Sequence, residues 1–233
     1  MVAALPAEVP WSESFQPEGD PHNEPQSEVR DTLRRHFSRS GRGVYIASNL
    51  AVYYPNQPRI APDVIVVMDV DPHPRESWVV LAEGKGLDLA IEILVHGSRT
   101  KDLRDNVKKY AGLGIPEYFV YEPLAGSLRG WHLTEGRAEY VPILPQGGRY
   151  PSAVLGLQLS VIAGHLRFLL GEAVLPTTAE IAERLDRMLE QAVERAEAEA
   201  QRAEAEAQRA EAAERSLAEA LARLRQLEGG LKD

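Results

Sequence analysis

Two carboxylates stand where carboxylates are costly. Asp63 follows Pro62 and opens the run Val64-Ile65-Val66-Val67-Met68, and Glu92 lies within the apolar run from Leu87 to Val95. A carboxylate among strand residues needs a cation, a donor or solvent. On neighbouring strands the two could share a divalent ion with oxygen ligands, most naturally Mg²⁺, with Mn²⁺ as its substitute. Such an ion activates water and stabilises charge on a phosphate. The plainer reading has Asp63 capping a turn after proline and Glu92 pairing with an arginine. A second set, Glu83-Gly84-Lys85, spells Glu-x-Lys downstream of Asp63. Gly84 and Gly86 make it a turn, which holds a carboxylate less firmly than a strand, although Lys85 could reach a site from that loop.

Around Glu92 the chain turns basic. His96, Arg99, Lys101, Arg104, Lys108 and Lys109 oppose only Asp102 and Asp105. Arg99, Lys101 and Arg104 could contact phosphates; the alternative is a solvated helix face. His36, His73, His132 and His165 have no metal-ligand spacing, and the glycines at 84, 86, 147 and 148 form turns rather than a phosphate loop.

These residues need a scaffold, and the pattern supplies one. Residues 1–24 are rich in Pro, Glu, Ser and Asn and read as an irregular segment. Val29, Leu33 and Phe37 then repeat with a helical period that Gly41 and Gly43 end. Strands follow at Val44-Tyr45-Ile46, Leu50 to Tyr54, Val64 to Met68 and Leu87 to Val95, with a short strand or arm at Trp78 to Leu81. Asp102 to Leu113 reads as a helix with Leu103, Val107 and Tyr110 on one face and Gly114 as its stop. Tyr118 to Tyr121 is a buried strand, and two further strands lie around Leu128 to Leu133 and Glu139 to Ile143. The order predicts an α/β fold with a mixed sheet.

After Pro176 the texture changes to Ala, Glu, Arg, Gln and Leu, with no Pro or Gly until Gly229. That is the composition of a long helix. The expected organisation is an irregular segment at 1–24, a folded core at 25–175, a long helix at 177–228 and a tail at 229–233. AEAEAQR occurs twice in succession from Ala196 to Arg209. The heptad seam through Ala182, Leu185 and Leu189 is apolar at both ends and carries Glu199 and Glu206 in the middle. Residues 182–227 could pair copies of the chain or form a solvated single helix.

The net charge of -9 argues against a protein that coats nucleic acid by bulk charge, and the absence of cysteine excludes thiolate chemistry and disulfides. No apolar run reaches the roughly 20 residues needed to span a bilayer, and the N-terminus does not read as a signal peptide. A cytoplasmic protein is expected.

Pro62-Asp63 before a hydrophobic strand, Asp88-Leu89-Ala90-Ile91-Glu92-Ile93-Leu94, Asp102, Tyr110 and Gly114-Ile115-Pro116-Glu117-Tyr118-Phe119-Val120-Tyr121-Glu122-Pro123 together resemble the Uma-two family of restriction endonucleases. That family is a bacterial branch of the PD-(D/E)XK nuclease superfamily. The resemblance covers roughly residues 20 to 170. It implies a restriction-endonuclease-like core with a mixed central sheet flanked by helices, here followed by one long C-terminal helix. It also implies metal held by Asp63 and Glu92, and DNA phosphodiester hydrolysis. His22 resembles the histidine this family often places before its first helix. Two departures concern the lysine. The superfamily position two residues after the glutamate is Leu94, and the family's position four residues after the aspartate matching Asp102 is Asn106. Lys109 lies about 60° from Asn106 around a helix axis and is the better substitute; Lys108 lies further round. The expected activity is metal-dependent DNA cleavage by a dimer. The rival is a catalytically silent nuclease fold serving as a DNA-binding or coiled-coil assembly module, and a third reading is hydrolysis of another phosphoester.

Overall fold

The computed structural model describes residues 19–95, 100–134 and 136–229, with side chains through 223. Arg99 and His96 lie outside the described residues, as do the tail from 230 and most of the segment before the first helix. The chain divides into two compact units, Met1–Thr178 and Ala179–Asp233.

The first unit is built on a six-stranded sheet in the order β1-β3-β5-β6-β7-β8. Its strands are β1 (Val44–Ser48), β3 (Val64–Met68), β5 (Leu89–Ile93), β6 (Glu117–Glu122), β7 (Ser127–Leu133) and β8 (Tyr140–Pro142). Only β5 and β6 run parallel, so the sheet is mixed. That single parallel pair requires a crossover. It is made by a π-helical stretch, Lys101–Asp105, that runs directly into α3 (Asn106–Gly112).

Both faces of the sheet are covered, which explains why β3, β5 and β6 are buried along their whole lengths. On one face α1 (Asp20–Ser40) lays Val29, Leu33 and Phe37 against Val44, Ile46, Val64 and Val66. A second sheet, ordered β12-β11-β10-β9, adds Leu157, Leu159, Leu166 and Phe168 to the same core. It consists of β9 (Tyr150–Ser152), β10 (Leu157–Ile162), β11 (His165–Leu170) and β12 (Ala173–Val174). On the other face Tyr110, Ile115 and Trp78 pack with Ile65, Val67, Ala90 and Tyr118. Trp78 comes from a small parallel pair, β2 (Ala51–Tyr53) with β4 (Ser77–Val79).

Three features depart from expectation. Helix α1 begins at Asp20, inside the segment expected to be irregular. Its first turn tolerates Pro21 because an N–H there has no intrahelical acceptor. After β4 the chain does not stay extended: Val80–Glu83 forms one helical turn, α2, closed by Gly84 at φ 69°. The second sheet was not expected, although Leu157-Gln158-Leu159-Ser160-Val161 alternates apolar and polar; its strands are separated by tight turns with positive φ at Gly147, Gly148, Gly156, Gly164 and Gly171. Later in the chain, α4 (Thr178–Gly229) is one continuous helix of 52 residues. Its Leu185, Met188, Leu189, Val193, Leu217 and Leu221 are exposed in the single chain.

Packing between β6 and β7 leaves no room at Gly130. A Cβ there would stand 2.5 Å from Cε1 and 2.8 Å from Cδ1 of the fully buried Phe119 ring. Gly130→Ala is expected to cost about 1–3 kcal/mol through overpacking. Thermal unfolding should show a midpoint several degrees lower; an unchanged midpoint would contradict this packing.

Candidate active site

The antiparallel register of β3 and β5 pairs Val64 with Ile91. One step further along that register, Asp63 comes opposite Glu92. The backbone N–H of Asp63 donates to Glu92 Oε2 at 3.3 Å, and the N–H of Ile93 donates to Asp63 Oδ2 at 2.6 Å. Both carboxylates are buried, Asp63 at 8% and Glu92 at 6% exposure. Each is held by partners from more than one element. His22, in the first turn of α1, places Nε2 3.1 Å from Asp63 Oδ2. Gln26, one turn on, donates to the Asp63 carbonyl at 3.0 Å and to Asn49 Oδ1 at 2.9 Å.

From the crossover, Asp102, Asn106 and Tyr110 arrive on one face, four residues apart. The Tyr110 hydroxyl donates to Glu92 Oε1 at 2.6 Å. Asn106 Nδ2 donates to Asp102 Oδ1 at 3.0 Å and to Glu92 Oε1 at 3.3 Å. Tyr118 fixes the start of the helix by donating to the Asp102 carbonyl at 2.9 Å.

No arginine neutralises Glu92 among the described residues. Burial, and then the Asp63 charge, push its carboxyl well above the usual range; the Tyr110 hydroxyl and the Lys101 ammonium pull the other way. Burial also raises Asp102. Burial raises Tyr110 itself, and the neighbouring Glu92 adds to this, so the phenol keeps its proton and acts as a donor. Lys109 is lowered by burial and by Lys101, while Glu92 opposes that shift. Lys101 and Lys109 are thus cations within electrostatic reach of Glu92.

The other expected residues fall elsewhere. Lys85 Nζ lies 2.9 Å from Asp88 Oδ2 and donates to the Met68 carbonyl at 2.5 Å, and Glu83 is forked by Arg75 at 2.7 and 3.0 Å. The Glu-x-Lys turn is therefore engaged in its own ion pairs. Lys108 and Arg104 are exposed on the crossover, as are Lys101 and Lys109. Leu94 is buried in the core beside Tyr110 and Trp78. Tyr110, expected as an apolar face residue and as part of the family motif but not as a site residue, is also a hydrogen-bond donor to the site. Its four-residue spacing from Asn106 was the available signal. Gln26 and Asn49 gave none, because their roles depend on α1 reaching β3.

Among the described residues no group of three or more His, Asp or Glu side chains is arranged to hold a metal. Two facing carboxylates still suit Mg²⁺, which commonly takes one or two carboxylates and keeps several waters. Burial raises Glu92 most, and the Asp63 charge that adds to it is what a divalent cation would offset.

A family model described as "Uma2: Putative restriction endonuclease" matches residues 12–162. The chain belongs to this family. No curated protein matches it. Among solved structures it is similar to a DUF820 protein from Anabaena variabilis, described as a putative nuclease, with 17% identity and a TM-score of 0.48 over 63% of this chain and 80% of that one.

Because the folded state holds Glu92 protonated at pH values where the unfolded chain has released that proton, folding takes up a proton. Stability from this group therefore falls as pH rises from the ordinary glutamate value of about 4.3 toward the raised folded value. Glu92→Gln imitates the protonated form. It should melt above the wild type at pH 8, with the gap closing near pH 5. A gap that widens on acidification would overturn this assignment.

Proposed function

We propose that this Uma2-family chain is a divalent-metal-dependent endonuclease that hydrolyses DNA phosphodiester bonds. The observation that carries the reading is the pairing of Asp63 and Glu92 across β3 and β5, buried, facing and, among the described residues, without an arginine. The two would hold Mg²⁺ or Mn²⁺, which when bound supplies activation of water and charge stabilisation at phosphorus. Asp63 is oriented by His22 and the Ile93 N–H. Glu92 has Oε1 fixed by Tyr110 and Asn106, so the direction of its Oε2 is set. Asp102 lies behind Asn106 and positions it. Lys109 supplies positive charge where negative charge develops on the phosphate, with Lys101 beside it. Arg99, Lys101 and Arg104 would meet flanking phosphates.

A second reading has an observation of its own. Asn106 occupies the position where the family resemblance implies a lysine, and it is committed to Glu92 and Asp102. A fold that has lost catalysis and kept nucleic-acid binding or assembly is compatible with that exchange.

Plasmid nicking separates the two. With Mg²⁺ or Mn²⁺ the wild type should nick supercoiled DNA. EDTA, Asp63→Ala and Glu92→Ala should each abolish nicking, and Lys109→Ala should slow it about a hundredfold, the usual scale for one electrostatic stabiliser. Nicking that persists in both carboxylate variants would remove Asp63 and Glu92 from the chemistry.

The exposed leucines of α4 support pairing of two copies through residues 182–227, the commonest symmetric arrangement being a C₂ dimer. Light scattering on the eluted protein should give about twice 25.7 kDa. A monomer mass across the micromolar range would assign α4 to the solvated single-helix form, which the Glu183–Arg187 pair at 2.9 Å also suits.

A further inference from the structure

Strand β1 is an edge of the central sheet. The Gly43 carbonyl accepts from Val70 N–H, and Asn49 N–H donates to the Asp63 carbonyl, so odd-numbered residues here bond toward β3. Val44, Ile46 and Ser48 therefore turn their backbone groups outward. A cavity of about 600 Å³ runs along this edge, lined among others by Arg30, Arg34, Phe37, Arg42, Ser48 and Arg75.

Four guanidinium groups line one cavity, and three are matched by acids. Arg30 pairs with Asp31 and Arg42 with Asp69, the acids being 40% and 61% exposed. Exposed pairs of this kind contribute little and exchange readily for another anion. Arg75 is different: it is forked on Glu83 and lies over the Tyr45 and Trp78 rings at 4.6 and 4.7 Å, which makes it a fixed wall. Arg34 makes no ion pair among the described residues. It donates Nε and one Nη to the Ile46 carbonyl at 2.8 and 2.6 Å.

That contact decides what kind of polymer fits. A peptide adding as a strand would need the Ile46 carbonyl, which Arg34 already occupies. An anionic backbone needs the guanidinium groups instead. At the far end of the cavity the Ser48 hydroxyl is buried with no hydrogen-bond partner among the described residues. Ser48 pairs in register with Val64, the neighbour of Asp63. From Val44 to Ser48 the edge spans about 14 Å, the rise of roughly four nucleotides of a B-form strand.

We infer that this groove holds the phosphodiester backbone of the nucleic-acid strand leading to the Asp63–Glu92 site, with Arg30, Arg34 and Arg42 on successive phosphates and Ser48 donating at the end next to Asp63. The inference rests on the nuclease reading for its substrate, but binding and cleavage can be measured apart.

The test is fluorescence anisotropy of a short labelled DNA duplex, and of its single strand, titrated with the full-length protein in Ca²⁺ over a salt series. Arg30→Gln combined with Arg34→Gln should weaken binding about tenfold and reduce the slope of log K against log salt by about two, each phosphate contact contributing about 0.9. Asp69→Asn frees Arg42 from an exposed competitor and should tighten binding two- to fivefold; it stands as the deciding variant if loss of the Arg34 contact to Ile46 unfolds the double variant. A wild-type Kd and slope for Asp69→Asn, or for a folded Arg30/Arg34 variant, overturns the groove. If the wild type never nicks plasmid but these shifts appear, the groove stands and catalysis does not. If it nicks and the shifts are absent, the reverse holds.

Discussion

Two carboxylates facing each other across an antiparallel strand pair, both out of water, repel. Everything near Asp63 and Glu92 answers that repulsion. The register of β3 and β5 sets them opposite, and the Ile93 and Asp63 N–H groups each donate to the other strand's acid. Burial raises the pKa of Glu92, so one proton softens the contact when nothing else does. Tyr110, with its own proton held by burial, gives Glu92 a donor that does not titrate away. The arrangement costs free energy that a structural ion pair would not, which is the feature the proposed metal site draws on.

The fold is arranged to keep that pair rigid. Covering both sheet faces buries β3, β5 and β6 along their whole lengths, so the acids sit on strands packed from both sides. The one parallel connection brings Asp102, Asn106 and Tyr110 over the end of β5. From the opposite side of the sheet, α1 reaches past its end with His22 and Gln26. The second sheet is tied to the central one through Glu117, whose carboxylate accepts from Ser152 and from the Ala153 and Val154 N–H groups at 2.7 and 3.2 Å. That buried acid has several donors and no facing acid, and it serves as a useful contrast to Glu92.

Much of this was legible in the residues. Unbroken apolar runs gave β3, β5 and β6 directly, and an acid inside such a run is a strong signal because it opposes its surroundings. The long helix was legible from composition alone. The start of α1 was not, because Pro21, Pro25 and several polar residues look like a loop when only composition is weighed; Pro21 falls in the first turn, where an N–H has no intrahelical acceptor, and Pro25 is carried inside the helix. The second sheet escaped although Leu157-Gln158-Leu159-Ser160-Val161 alternates apolar and polar, because its edge strands β9 and β12 have only three and two residues and glycine turns break the run. Of the partners of Asp63, His22 was suggested by the family resemblance, whereas Gln26 comes from far along the chain and only packing reveals it.

The positions of the site residues along the chain have a kinetic consequence. Asp63 meets Glu92 at a separation of 29 residues, Glu92 meets Tyr110 at 18, and His22 meets Asp63 at 41. These are modest loop closures, whose entropy rises only slowly with length. The contacts of the pair described above all lie between His22 and Tyr110, ahead of the later strands in the chain. Near neutral pH the unfolded chain carries both acids ionised, so the proton that Glu92 takes up on burial is part of closing the two strands. Acidity of the medium should for this reason be felt in how fast the core closes as well as in how firmly it stays closed.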